Sequence, residues 1–250
     1  MHSEPPLVHH PPLRVGAGTW AIRQLHGEGL RSDPVLVHSF VVTGGASTLI
    51  DTGAPNNAER WREDLLSLVD PADVRWIVAT HPDVDHCGNL AIALDLCPRA
   101  VVIGLPTTFD SLDLWLPVPV PRQRIVEVPD TLELPDRTLR FVAPPVADWP
   151  TVAVFDTRTQ TFFAADSFGV PDAQCIEDAG ELSLGDFAEG LCSFARRVMP
   201  SVDDLSDQAW ARALRRVEDL DPACVISSHG PALRGRRIAE AFAALRDLKR

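Results

Sequence analysis

The sequence from residue 80 to residue 88 reads Thr80-His81-Pro82-Asp83-Val84-Asp85-His86-Cys87-Gly88 and packs two histidines and two aspartates into one turn. It follows an apolar, β-branched run at 74–79 that predicts a buried strand, and helical spacing begins at Gly88. Imidazoles and carboxylates at this density are costly to desolvate unless a cation compensates them, which favours a pair of bound metal ions. The alternative is a capped helix start, with Asp85 as the N-cap and solvated histidines.

Composition limits the class of protein. The chain has 250 residues and a formal net charge of -12, so one large domain or two small ones are both allowed. This acidity argues against nucleic acid or an anionic membrane surface as the main partner, because phosphate binding needs clustered lysine and arginine. The apolar stretches are short, and the N-terminus lacks the pattern of a signal peptide. We therefore expect a cytoplasmic protein with no membrane-spanning segment.

The five cysteines contain no C-x-x-C pair, so the sequence indicates neither a disulfide framework nor a thiolate zinc site. Cys87 adjoins the polar turn. Burial at the helix start is favoured for it over a role as a ligand or a redox group.

The rest of the chain predicts alternating strands and helices. Residues 1–14 are rich in proline and histidine and predict a flexible N-terminal arm, followed by a single domain over residues 15–250. Strands are predicted at 35–42, 47–50, 74–79, 100–103, 138–143, 152–155 and 161–164, and helices at 56–69, 88–96, 184–199 and 206–220. This order predicts an α/β fold. The proline-dense segment 105–135 predicts an irregular connection that acts as a lid.

Metal-competent side chains recur where predicted strands end. Asp51 leads into a glycine turn, where a carboxylate is expected to orient its neighbours by hydrogen bonds. Asp148 lies in a loop, where an isolated aspartate is usually a turn former. Asp166 ends an apolar strand as the polar turn does, and a carboxylate there can bridge two metals. His229 also ends a predicted strand, although one such histidine would more often be structural.

Taken together, these motifs resemble the metallo-β-lactamase superfamily, in which an H-x-H-x-D-H turn, a later His, a bridging Asp and a last His surround two metals. Within it, the sequence is similar to the flavodiiron proteins and their stand-alone oxygen-binding diiron relatives, which have an acid in place of the second His, as at Asp83. Residues 144–150 resemble the family's P-M-L-H-W-P motif, and residues 165–169 resemble N-D-A-F-G. The resemblance runs from about Val15 to the C-terminus and implies an αββα sandwich of the metallo-β-lactamase type.

The resemblance also implies a ligand set. Seven side chains would surround two metals: His81, Asp83 and Asp148 on one, Asp85, His86 and His229 on the other, with Asp166 bridging both. His26 resembles the family's H-G element, and it is expected, with Asp51, to support the ligands without binding metal.

Three departures from the family bear on function. Asp148 stands where the family has His, so the first metal either gains a carboxylate or has a weakened or empty site. The chain has no tyrosine, so any role that the family gives to tyrosine near the metals is missing. It also ends at Arg250 without the flavodoxin domain of flavodiiron proteins, so we expect no flavin on this chain and electrons from an external reductase.

The charge of the ligand set favours iron. Its four aspartates balance the charge of two divalent ions, or of two trivalent ions with one oxo bridge. A carboxylate-rich ligand set suits iron or manganese better than the His-rich ligand set of a dizinc hydrolase would. We predict two iron ions, with zinc or manganese as alternatives.

Three functions remain open. The first is a diiron oxidoreductase that binds, reduces or activates O2, NO or another small molecule. The second is a hydrolase in which zinc or manganese lowers the pKa of a water molecule. The third is a non-enzymatic O2 or redox sensor. The resemblance further implies a homodimer.

Overall fold

The structure, a computed structural model, describes residues 9–26, 35–171 and 175–249 of the chain. The chain divides into two units, residues 1–126 and residues 127–250. In the described residues, each unit contains one β-sheet with helices.

The first unit is built on a seven-stranded sheet whose strands follow one another in chain order. They are β1 (His10–Gly16), β2 (Thr19–His26), β3 (Val35–Val42), β4 (Ser47–Ile50), β5 (Val74–Val78), β6 (Val101–Gly104) and β7 (Gln123–Ile125). Strands β1 to β4 pair antiparallel, and β4 to β7 pair parallel. Because β4 and β5 are parallel neighbours, the residues that follow them meet at one edge of the sheet.

The described residues of this unit form the helices α1 (Ala58–Leu68), α2 (Val84–Cys87), α3 (Leu90–Leu96) and α4 (Pro106–Trp115). Trp61 and Leu65 of α1 are buried in the same apolar cluster as Ile77 of β5. The Trp61 indole donates a hydrogen bond to Ser39 Oγ at 2.8 Å, so the buried ring is also satisfied as a donor.

The second unit contains a six-stranded sheet in the order β13-β12-β11-β10-β9-β8. Its strands are β8 (Asp130–Leu134), β9 (Arg137–Val142), β10 (Ala153–Asp156), β11 (Thr161–Phe163), β12 (Cys224–Ile226) and β13 (Leu233–Arg234), and its helices are α5 (Leu184–Val198), α6 (Asp207–Glu218) and α7 (Arg236–Asp247). Only β11 and β12 pair in parallel among these strands. The residues after β11 and β12 therefore meet at one edge.

Two predictions need correction. The segment 105–135 is not irregular throughout, because α4, β7 and β8 all fall within it. Pro106 lies in the first turn of α4, where its missing N–H is tolerated, and Phe109 and Leu112 bury the helix against the core. The proposed role of this segment as a lid stays a prediction.

The second correction concerns the N-terminal arm. Residues 1–8 of the predicted arm lie outside the described residues, but His10–Gly16 forms β1. The strand register is irregular between His10 and Leu13, where Pro11 and Pro12 stand, and β1 is an edge strand, which accommodates proline. The single domain predicted over residues 15–250 stays a prediction. Among the residues that the structure describes, no helix combines the length and the hydrophobicity that a membrane span requires.

A buried ion pair stabilises the second sheet at the end of its strands away from Asp166. Arg137 Nη1 lies 2.9 Å from Asp156 Oδ2, and the two side chains are only 3% and 0% exposed. Asp156 also accepts hydrogen bonds from the Arg158 backbone N–H and the Thr159 hydroxyl. The carboxylate is therefore fully enclosed by donors.

Arg137→Met should lower the free energy of unfolding by about 3 kcal/mol, because it leaves a buried carboxylate without its cation. Arg158→Met is the matched control, since Arg158 is about half exposed and should contribute less than about 1 kcal/mol. Urea unfolding of both variants measures the difference. Equal losses would contradict the structural role of the buried pair.

Candidate metal centre

Asp51 organises the polar turn of the first unit. It follows β4 directly, is 1% exposed and has a φ of 57°, a left-handed conformation that is uncommon outside glycine. Its Oδ1 accepts a hydrogen bond from the Thr80 backbone N–H, and its Oδ2 accepts one from the Thr80 hydroxyl, both at 2.8 Å. Oδ2 also lies 2.8 Å from His86 Nδ1. One buried carboxylate thus joins the ends of β4 and β5 to α2.

The contact with Asp51 determines which nitrogen of His86 carries the proton. An ionised carboxylate only accepts hydrogen bonds, so in the neutral imidazole Nδ1 is the protonated nitrogen and Nε2 keeps its lone pair. The His86 backbone is held as well, because its carbonyl accepts hydrogen bonds from the Thr52 N–H at 2.6 Å and the Thr52 hydroxyl at 3.1 Å. This is the arrangement in which metal-binding histidines are usually found.

The turn contains two His–Asp pairs. His81 Nε2 lies 3.7 Å from Asp83 Oδ2, and His86 Nε2 lies 3.9 Å from Asp85 Oδ2. Two atoms that each lie about 2.1 Å from one ion are at most about 4.2 Å apart, so each pair is within reach of a single metal ion. The two imidazole centroids are 3.9 Å apart. The donor set and its spacing therefore fit a metal centre.

The capped-helix alternative does not describe this turn. Helix α2 begins at Val84, so Asp83 is the N-cap and Asp85 lies inside the first turn. Both histidines are about 1% exposed, whereas the alternative requires solvated rings. Asp83 and Asp85 remain partly exposed, with 36% and 25% of their side chains accessible. The burial of the imidazoles beside open carboxylates favours the metal interpretation.

Cys87 is a buried thiol that supports the turn. Its Sγ–H donates to the His81 carbonyl at 3.2 Å. Burial, and then the charges of the nearby aspartates, raise the pKa of Cys87 well above its usual value, so the sulfur stays protonated. This agrees with the burial expected from the sequence. The five cysteines all lie in the described ranges, and no disulfide joins them.

Asp166 and His229 come together in the second unit. They follow the parallel neighbours β11 and β12, and His229 Nε2 lies 3.2 Å from Asp166 Oδ1. The Ser227 hydroxyl donates to the Ala165 carbonyl at 2.9 Å and accepts the His229 N–H at 3.1 Å. The Phe194 ring meets the His229 imidazole edge on, with centroids 5.2 Å apart. The histidine is held from both its backbone and its ring.

Asp148 differs from the other predicted ligands because it is exposed and lies in a loop. Ser167 ties this loop to the turn that carries Asp166, since its hydroxyl donates to the Val146 carbonyl at 2.7 Å and accepts the Val146 N–H at 2.8 Å. Ala165 and Phe168 in that turn have φ values of 51° and 63°. Strained residues of this kind are concentrated at functional sites in many proteins.

The structure thus brings four predicted ligands and Asp51 together in the first unit, and two predicted ligands in the second. His26 ends β2, and its side chain lies outside the described residues. Metal binding by any of these residues stays a prediction. Sequence reasoning missed the hydroxyls of Thr80 and Ser167, which had no signal beyond their position beside a predicted ligand. It also missed Phe194, which belongs to a distant helix.

Comparison with known proteins identifies the family. The sequence profile of the Metallo-beta-lactamase superfamily matches residues 32–229, and the chain belongs to that superfamily. The α/β class and the metallo-β-lactamase type of fold predicted from the sequence are confirmed.

Known relatives are similar to the chain over most of its length. It is 26% identical over 200 residues to diflavin flavoprotein A 1 of Synechocystis sp., covering 79% of this chain and 34% of that protein. It is 23% identical over 235 residues to a nitric oxide reductase of Moorella thermoacetica, covering 92% of this chain and 58% of that one. The chain therefore spans between about a third and three fifths of the length of these relatives.

Solved structures of flavodiiron proteins share the fold. The flavodiiron protein from Giardia intestinalis has a TM-score of 0.85 at 17% identity, with 97% of this chain and 60% of that one covered. Rubredoxin oxygen:oxidoreductase from Desulfovibrio gigas has a TM-score of 0.82 at 16% identity, with 94% and 61% covered. The resemblance to flavodiiron proteins stated from the sequence is confirmed.

Replacement of the central carboxylate tests its role. Asp51→Asn should weaken Zn²⁺ binding by about 10- to 100-fold, because the amide cannot accept from all the donors that face Asp51. Competition with a chelating dye measures the affinity. Asp73→Asn, at an exposed aspartate of the same unit, is the control and should bind as the wild type does. An unchanged Zn²⁺ affinity in Asp51→Asn would contradict the role of this carboxylate in orienting the ligands.

Two glycines offer a matched pair for His229. Gly230 has a φ of 126°, and a Cβ there would lie 2.2 Å from the Val170 carbonyl oxygen, whereas Gly235 also has a positive φ but nothing within 4 Å. Gly230→Ala should displace His229 and lower both the bound metal per chain and the melting temperature. Gly235→Ala should cost only backbone strain, about 1 kcal/mol, and keep its metal. Elemental analysis showing equal metal in the two variants would contradict this prediction.

Proposed function

We propose that the chain is a diiron oxidoreductase that binds and reduces O2 or NO with electrons from an external partner. Its two iron ions would be held by the seven residues that the family resemblance implies: His81, Asp83, Asp85, His86, Asp148, Asp166 and His229. The observation that carries the proposal is the pair of His–Asp contacts in the polar turn, oriented by one buried carboxylate.

The relatives support the choice of O2 and NO as substrates. Among proteins that share this domain, one is named a nitric oxide reductase and another a rubredoxin oxygen:oxidoreductase. The second name also points to a separate protein as electron donor, which is the kind of partner that we propose for this chain.

The chemistry of the donors supports iron over zinc. Four carboxylates and three imidazoles make a hard, anionic set, which suits iron or manganese. Asp148 adds one of these carboxylates where the family has a histidine. Four negative charges compensate two divalent ions, so the filled site is neutral in its reduced form.

When bound, the two iron ions would supply the electrons that reduce the diatomic molecule. The protein orients the ligand side chains and limits the access of water to the metals. The rings of His81 and His86 are buried, whereas the carboxylates of Asp83 and Asp85 are 36% and 25% exposed, so a small molecule would approach the metals from the carboxylate side. Asp51 holds the proton of His86 at Nδ1, away from the metal-facing nitrogen.

Substitution at the two acids of the second unit tests the ligand assignment. Asp148→His should keep or increase metal loading, because it restores the family's ligand. Asp166→Ala should lose at least one ion per chain, because the bridging carboxylate is gone. Asp207→Ala, at a side chain that is 98% exposed, is the control for the loss of an aspartate. Elemental analysis of the three variants decides, and full loading in Asp166→Ala would refute the bridge.

Reactivity tests the function itself. The reduced, iron-loaded protein should consume O2 or NO in the presence of a chemical reductant, measured with gas-sensitive electrodes. Turnover of ester, thioester or phosphoester substrates by the zinc or manganese form without reductant would replace the proposal with a hydrolase. Reversible O2 binding without turnover would replace it with a sensor, and no reaction with either gas would contradict both oxygen-linked functions.

A further inference from the structure

Thr80 lies between Asp51 and His81 and contacts both with a single hydroxyl. Its Oγ1 is 2.8 Å from Asp51 Oδ2 and 3.1 Å from His81 Nδ1. All three groups are essentially buried, with exposures of 0% for Thr80 and 1% for the other two. Water therefore has little access to this contact, and the Thr80 hydroxyl must satisfy both neighbours with one proton and its lone pairs.

The number of protons available to Asp51, Thr80 and His81 determines which group is the donor in each hydrogen bond. A hydroxyl has one proton to donate, and an ionised carboxylate has none. The Thr80 hydroxyl must donate to Asp51, because otherwise two oxygens at 2.8 Å would face each other without a proton. Its oxygen is then only an acceptor toward His81, so Nδ1 of that ring donates and Nε2 keeps its lone pair.

We propose that Thr80 is a positioning residue that fixes the protonated nitrogen of His81. The Asp51 carboxylate orients His86 directly, and it orients His81 indirectly through the Thr80 hydroxyl. Both imidazoles then carry their proton on Nδ1 and present Nε2 as a ligand atom, which is the state that two neighbouring metals require. The proposal rests on the proposed function for its purpose, but the proton position itself is a property of the metal-free protein.

Three features make the contact specific to the hydroxyl. The Thr80 backbone N–H separately donates to Asp51 Oδ1, so the peptide remains anchored when the side chain is changed. His86 reaches Asp51 without Thr80 and serves as an internal control in the same molecule. Asp83 Oδ2 lies 3.7 Å from His81 Nε2, so a carboxylate stands beside that nitrogen to favour its protonation if Nδ1 loses its acceptor.

The experiment uses metal-free, ¹⁵N-histidine-labelled full-length chain at a pH above the ordinary imidazole pKa. Long-range ¹H–¹⁵N correlation spectra distinguish the two protonated nitrogens of each ring, and His81→Gln and His86→Gln assign the signals. Wild type and Thr80→Ser should show His81 and His86 protonated on Nδ1. In Thr80→Val, which preserves the buried shape, His81 should move to Nε2 protonation while His86 stays unchanged.

Metal affinity provides a second measurement. Thr80→Val should bind Zn²⁺ at least about tenfold more weakly than wild type, and Thr80→Ser should restore the wild-type affinity. His81 protonated on Nε2 in the wild type, or on Nδ1 in Thr80→Val, would overturn the proposal. If Thr80→Val does not fold, Thr80→Ala and the wild-type spectrum still test it. Absence of O2 or NO chemistry would defeat the proposed function and leave the ring protonation result intact.

Discussion

The Asp51 carboxylate accepts three hydrogen bonds at the adjacent ends of two parallel strands, and the geometry of the polar turn depends on them. A buried charge of this kind is tolerated only when its acceptors are filled. The donors that fill them come from the turn itself. The three hydrogen bonds that stabilise the buried Asp51 carboxylate therefore also fix the backbone at Thr80 and the ring of His86.

The two units use the same arrangement in different sequences. In each, parallel neighbouring strands bring polar residues together where the strands end, β4 with β5 in the first unit and β11 with β12 in the second. In each, non-glycine residues with positive φ turn the chain sharply at that edge, at Asp51 in one and at Ala165 and Phe168 in the other. Open α/β folds commonly place functional groups at such strand ends.

Part of this was predictable from the sequence for physical reasons. The apolar run before Thr80 required a buried strand, and a dense set of His and Asp after it required compensation, so the α/β class and the polar turn were accessible. The dense prolines of 105–135 predict an irregular segment, but a helix begins at Pro106 because the first turn of a helix tolerates proline. The contacts of Thr80 and Phe194 depend on which strands and helices are neighbours in the fold, and the spacing of residues along the chain does not predict those neighbours. The role of Asp148 as a ligand comes from the family resemblance alone, because its exposed position in a loop does not by itself indicate metal binding.

The central claim is that this chain holds two iron ions, and elemental analysis of the purified protein tests it most directly. The protein should come from iron-supplemented cells, without a histidine tag and without exposure to chelators, because its ligands must remain deprotonated and occupied. We expect about two irons per chain, released together on acidification. Zinc or manganese in that ratio, a single ion, or no metal would contradict it.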